Sequence, residues 1–352
     1  MTRRLLLVFA VASVLVLGGC LGDVDVSESN PLDDGDGDDE PAAGVVDELD
    51  GDDHLEIHHL DVGQADATLV IEPGGETMLI DSGDWRDDGE TVLSFLERHG
   101  VDRIDHLVST HAHADHIGGH AAVIEHFETE GDGIGAVYDS GVAHTSQTYE
   151  NYLDAVEAHD VSLFEVREDD ELDFGEADVA FLNPPEGESG TDLHYNSVAL
   201  TISYGDVTYL TTGDVEDDAE SRMVDAHGDA LDAGVYQAGH HGSSTSSTPT
   251  FLDAVDPAIA VVSSAYDSQY GHPHDEVMER FADRGVETYW TGVHGDVVVA
   301  TDGQEIAVAP QTEGPTDAAA LLEEKPDEES GDGGSGIDPR TIHHDRTGTT
   351  AP

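Results

Sequence analysis

Short apolar runs broken by Gly, Pro and Asp set the pattern along the middle of the chain. Leu55–Leu60, Ala67–Ile71 and Thr77–Ile80 are strand-length runs, and Gly74-Gly75 turns the chain between the last two. From Asp88 to His99 the apolar positions fall at helical spacing, and Gly100 stops the run. Ile104–Thr110 is a short strand of buried type. Ile117–Phe127 then predicts a helix, Ile134–Ser140 a strand and Ser146–His159 a helix. Strands follow at Val161–Val166, Ala177–Leu182, Ser197–Tyr204 and Val207–Thr211, then a helix at Glu216–Ala226 and a strand at Gly234–Gly239. Pro249–Val255 is helical, Ala258–Ser263 a strand and His274–Arg284 a helix. Short strands at Glu287–Trp290, Val297–Ala300 and Glu305–Val308 close the series. Strands and helices alternate in two similar halves that divide near residue 145. The pattern predicts an α/β fold with two facing sheets and helices outside, a four-layer αββα sandwich.

The pattern stops at both ends. Met1 to Cys20 runs from Arg3-Arg4 through an apolar stretch to Leu17-Gly18-Gly19-Cys20. That order of charged, apolar and small residues is a signal peptide. Arg3-Arg4 fits a twin-arginine export signal, and the Leu-Gly-Gly-Cys end resembles a lipobox. Cys20 is then the lipidated N-terminus, and the protein is exported and tethered to membrane lipid on the outer face; an uncleaved anchor at Leu5–Leu17 is the alternative. Residues 21–52 carry thirteen acids with no Lys or Arg, an extended acidic linker. Residues 311–352 are low in complexity and read as a tail, with His343-His344 solvated. The expected folded domain is therefore residues 53–310.

Charge changes the picture of the surface. Lys and Arg number 12 against 78 Asp and Glu, for a net charge of −66, and Lys325 is the only lysine. Such a surface repels itself in dilute buffer. At molar salt the Debye length is about 3 Å and the repulsion is screened, so the chain reads as salt-adapted. The 38% hydrophobic content and the patterned strands exclude a wholly disordered acidic protein. Cys20 is the single cysteine, so no internal disulfide forms.

Chemistry gathers at strand ends. "STHAHADHIGGH", Ser109 to His120, places His111 and His113 two apart, on one side of an extended segment. Asp115 and His116 follow at a turn into a helix. Asp81 ends "TMLIDSG", Asp214 ends "VTYLTTGD", His240 and His241 end "GVYQAGHHGS", and His272 sits in "QYGHPH". Imidazole with carboxylate suits Zn, Mn or Fe. The number of such residues fits two divalent metal ions better than one.

"STHAHADHIGG" resembles the H-x-H-x-D-H signature of the metallo-β-lactamase superfamily. "LDVGQADATLVI", "NSVAL", "TGD", "GHHGSSTS" and "YGHP" look, in this order, like the soluble hydrolase domain of ComEC-type competence proteins. The resemblance implies that His111 and His113 hold a first metal, and that Asp115, His116 and His240 hold a second. Asp214 bridges the two. Asp81 orients a ligand His from behind, and Asp66 helps order the nearby turn. His194 or Asn196, in "TDLHYNSVAL", completes the first metal, or water does. His241 and His272 touch substrate, and Asp115 also orients the attacking hydroxide. The implied cofactors are two Zn or Mn ions, and the implied reaction is hydrolysis of a phosphodiester or nucleic acid by a free-standing relative. A lactone, thioester or β-lactam on the same site is the alternative enzyme reading, and a non-catalytic surface-binding protein the other. No protein partner is indicated.

Overall fold

The computed structural model describes residue 49, residues 53–187 and residues 189–326. All of these belong to one compact unit. The expected signal peptide, Cys20, most of the acidic linker and the tail from residue 327, with His343-His344, lie outside the described residues.

Two sheets carry the fold. The first has eight strands in the order β15-β14-β1-β2-β3-β4-β5-β6. These are β1 (Leu55–His59), β2 (Thr68–Ile71), β3 (Thr77–Ile80), β4 (Ile104–Val108), β5 (Ile134–Asp139), β6 (Leu163–Glu165), β14 (Val297–Thr301) and β15 (Ile306–Pro310). The second runs β13-β12-β11-β10-β9-β8-β7, from β7 (Glu171–Phe174), β8 (Ala177–Asn183), β9 (Ala199–Tyr204) and β10 (Val207–Thr211) to β11 (Val235–Gln237), β12 (Ile259–Val262) and β13 (Glu287–Trp290). Ile57, Val70 and Ile80 of the first sheet share one buried cluster with Phe181, Leu200, Ile202 and Val261 of the second. That layer buries one face of each sheet, and the helices bury the other, so many strands are apolar on both faces.

Helices cover the outer faces. Val92, Phe95 and Leu96 on α1 (Glu90–Arg98) join Val123, Ile124 and Phe127 on α2 (His120–Thr129) and Tyr152 and Val156 on α3 (Gln147–His159). Behind the second sheet, Met223 on α4 (Asp217–His227), Phe251 and Leu252 on α5 (Pro249–Val255) and Met278 and Phe281 on α6 (Asp275–Arg284) form the matching cluster. Local chemistry sets the starts. Ser146 accepts from Tyr149 N to cap α3, and Thr248 accepts from Phe251 N to cap α5, with Pro249 in its first turn. The αββα reading therefore holds.

Three expectations need correction. The halves do not divide cleanly near residue 145, because β6 completes the first sheet and β14 and β15 return to it. Strand β7 was unpredicted; its residues ELDF alternate poorly, and only Phe174 is buried. The folded part also continues past residue 310. After the single turn α7 (Thr291–His294), helix α8 (Ala318–Glu324) follows; Ala318 and Leu321 pack into the core behind the second sheet. Asp317 caps α8 by accepting from Ala320 N, so a short apolar helix sat inside an acidic segment that composition alone marked as tail.

Candidate metal centre

The site forms where strand ends of the two sheets meet. β3 delivers Asp81, β4 runs into His111, His113, Asp115 and His116, β10 delivers Asp214, and β11 delivers His240 and His241. β3 and β4 run parallel, as do β10 and β11, so each pair opens its carboxyl end on the same side. The β4–α2 loop packs tightly against residues 81–85. A Cβ at Gly118 would lie 2.2 Å from Trp85 N, and one at Gly119 would lie 2.6 Å from Ser82 O, so only glycine admits this approach. Asp81, His240 and His241 hold left-handed backbone, with φ of 58°, 52° and 55°. For His this is costly, about 1–3 kcal/mol each, and the surrounding structure holds the strain at the site.

Two groups of ligand-type atoms converge and share one residue. His111, His113, His194 and Asp214 form the first; Asp66, His116, Asp214 and His241 form the second, which is buried throughout. Asp214 Oδ2 lies 3.6 Å from His111 Nε2, and Asp214 Oδ1 lies 3.2 Å from His116 Nε2 and 3.8 Å from His241 Nε2. Two ligands on one tetrahedral zinc, each about 2.0–2.1 Å from it, stand about 3.4 Å apart. A buried His–carboxylate hydrogen bond is about 2.7–2.9 Å. The His–carboxylate spacing suits ligands around an ion, while His111 Nε2 and His113 Nδ1 stand at hydrogen-bond distance, 2.8 Å. Asp66 Oδ1, His116 Nε2, Asp214 Oδ1 and His241 Nε2 are also buried without any hydrogen-bond partner. Four orphaned polar atoms on four residues that converge are costly unless a cation satisfies them. The residues present fit divalent metal.

Outer partners fix the ligands. Asp81 Oδ2 accepts from His116 Nδ1 at 2.7 Å, which leaves Nε2 free to face Asp214. Asp81 also accepts from Thr110 N and Thr110 Oγ1, at 2.8 and 2.7 Å. The charge balance is uneven. Burial depresses His111 far below its ordinary value, and burial with His194 brings His113 down to about 4. Burial also opposes charge on His116 and His241. Asp214 and Asp81 outweigh it at His116, and Asp66 and Asp214 at His241, so both rings are pushed well up. Burial likewise opposes charge on Asp115, but His241 and His116 outweigh it and hold the carboxyl low. The carboxylates around these two rings thus favour positive charge there, as they would favour a cation.

Several expected roles move. His241, and not His240, joins the second group. Its Nε2 is 3.5 Å from Asp115 Oδ2 and its Nδ1 3.6 Å from Asp66 Oδ1, and its side chain is 2% exposed. The reason is the left-handed pair at 240–241, which sends the two rings to different sides. His240 turns outward to His194 and Glu216, although its Nε2 remains 3.5 Å from Asp214 Oδ2. Asp66 stands among the ligand atoms, and Asp115 stands at their edge. His194 joins the first group. Asn196 does not: its amide donates to Asp192 O at 2.7 Å and accepts from Ser189. His272 lies beside the centre, with Gln64 Nε2 3.2 Å from its Nδ1. Burial, and after it the charge of His241, bring it down to about 3, so its ring is neutral at pH 7. Glu216 was missed; its only sequence signal is its place two residues after Asp214.

A cleft of about 540 Å³ opens on Asp115, lined by Val62, Gln64, Trp85, Arg86, Gln269 and Tyr270 among others. Trp85 and Tyr270 expose 52% and 60% of their surface.

The family model of the metallo-beta-lactamase superfamily matches residues 60–265, the span that holds nearly all of these residues. The chain belongs to the metallo-β-lactamase superfamily. As such it is a metal-dependent hydrolase by class. It is 27% identical over 259 residues to ComE operon protein 3 of Bacillus subtilis, covering 69% of this chain and 32% of that protein. It is 30% identical over 236 residues to competence protein ComA of Neisseria gonorrhoeae, covering 67% and 30%. This superfamily member thus spans about a third of the length of the curated relatives it matches. Among solved structures it resembles the metallo-beta-lactamase fold protein YhfI of Bacillus subtilis, with a TM-score of 0.44 and 12% identity over 66% of this chain and 96% of that one. Among the described residues, no helix is long and apolar enough to cross a membrane.

Proposed function

We propose that the protein is a binuclear hydrolase that cleaves phosphodiesters, with nucleic acid as the substrate class, exported and tethered outside the membrane through Cys20. The observation that carries the binuclear reading is Asp214, a buried carboxylate shared by two groups of ligand atoms. Bound divalent ions would supply an acidified water and offset the charge that develops on the substrate. Asp214 would contribute to both positions. Asp81 fixes the ring of His116, and Asp115, 32% exposed at the rim, stays ionised to orient the attacking water.

Two features support a nucleic-acid substrate. The likeness to competence proteins covers most of the chain, and the cleft beside Asp115 presents the exposed rings of Trp85 and Tyr270, surfaces on which bases stack. Phosphate contacts ordinarily need Lys and Arg. In this cleft Arg86 is bound to Asp84 at 3.0 Å, so the ions supply most of the positive charge. The test is elemental analysis of the full chain in molar KCl, followed by rates on bis-p-nitrophenyl phosphate and on a thioester and lactone panel. About two ions per chain and phosphodiester turnover are expected. Turnover of the carboxylic substrates alone moves the reading to that class, and metal-free, inactive protein overturns both.

A further inference from the structure

Beside the binuclear centre lies a third convergence that the function above leaves unused. His194, Glu216 and His240 bring ligand atoms together at the surface. Glu216 Oε1 is 3.4 Å from His194 Nδ1 and 3.3 Å from His240 Nδ1. Both distances match the roughly 3.4 Å between neighbouring ligands on one tetrahedral ion. These side chains are 26%, 35% and 20% exposed, whereas those of His111 and Asp214 are 0% and 2% exposed. The group is therefore open where the inner one is closed. It adjoins a hollow of about 210 Å³ lined by Asp192, Tyr195, Glu216, Asp217 and Asp218. Four carboxylates there attract cations and nothing anionic.

His194 belongs to both groups. A neutral imidazole offers one lone pair at a time, so its ring serves the inner ion or an outer one.

We propose that His194, Glu216 and His240 form an outer docking position for a divalent cation, which passes it to the inner position of His111, His113 and Asp214 by exchange at His194. The acidic hollow collects the ion, Glu216 and His240 strip part of its water, and the His194 ring hands it inward. This rests on the binuclear reading of the centre but not on its substrate.

The test is cobalt uptake by the full chain, stripped with a chelator and held in molar KCl, followed by visible absorption. Glu216→Gln and His240→Ala should bind as many ions at equilibrium as the unsubstituted protein. One uptake phase should slow by about tenfold, within the range of electrostatic steering. Glu216→Asp should restore part of the rate, which separates a lost ligand from a misfolded loop. Glu279→Gln, an exposed acid on α6, should leave the rate unchanged. Unchanged rates in Glu216→Gln and His240→Ala overturn the proposal. So does a third equivalent of cobalt that Glu216→Gln loses, since His194 would then not be shared. No cobalt binding at all defeats both this proposal and the binuclear centre. Two ions bound without phosphodiester turnover defeats only the substrate reading.

Discussion

Replacing His241 with Ala, beside the same change at His240, separates the two neighbours by their surroundings. His241 is buried between Asp66 at 3.6 Å, Asp115 at 3.5 Å and Asp214 at 3.8 Å. Alanine leaves those three carboxylates around an emptied volume with one ligand fewer. Removing one partner from a buried charged group costs about 3–5 kcal/mol, which is about two to three and a half powers of ten in affinity. His240 is partly exposed, and its loss leaves all four members of the second group in place. The cost there should stay within about tenfold, below the effect typical of an outer-shell partner. The assay is competition with a chromophoric chelator in molar KCl, with elemental analysis after desalting. His241→Ala should retain about one ion, and His240→Ala about two. Loss of an ion in His240→Ala together with full retention in His241→Ala would refute the assignment and return the ligand role to His240.

Two further outcomes follow from groups away from the centre. Glu220 on α4 is fully buried and accepts from Ser247 N at 2.5 Å and Thr248 N at 2.9 Å; burial pushes its carboxyl up to about 7. The folded state then binds the proton more tightly than the unfolded state. Stability from this group is full below about pH 4.5 and falls by about 3 kcal/mol as pH rises to about 7. Glu220→Gln should flatten that slope in denaturant melts at pH 5 and pH 7, and an unchanged slope would show that Glu220 does not titrate there. Replacing Cys20 with Ser should release the exported protein from the membrane fraction, and full retention at the processed mass would remove the lipid anchor from the proposal.

Much of the fold was legible because its strands are short, apolar and punctuated, and because helices between them carry clear stripes. The sheet assignment of the last strands was not legible. Val297–Thr301 reads the same whether it pairs with the second sheet or with β1, and only tertiary packing decides. The residues that converge at the site were legible as a set, since His and Asp cluster at strand ends in a spacing that bland surfaces lack. Their division was less so. The His240–His241 order depends on two left-handed residues, and no sequence period signals those. Asp66 read as a turn residue because its contact with His116 and His241 spans 50 and 175 positions of chain. Glu216 was one acid among 78, and in so acidic a chain a functional carboxylate has no contrast.

The return of β14 to the first sheet has a bearing on how the chain comes to be folded at all. Leu55 stands opposite Thr301 and His59 opposite Val297, so the earliest of the described strands is among the last to gain its second neighbour. Until the ribosome has passed residue 301, β1 offers one bare edge of backbone N–H and C=O groups, and an open edge recruits other chains. Contacts this distant in sequence also slow folding. Any shortened product that stops after β13, even one with every metal ligand present, keeps that edge open and should aggregate where the full chain does not.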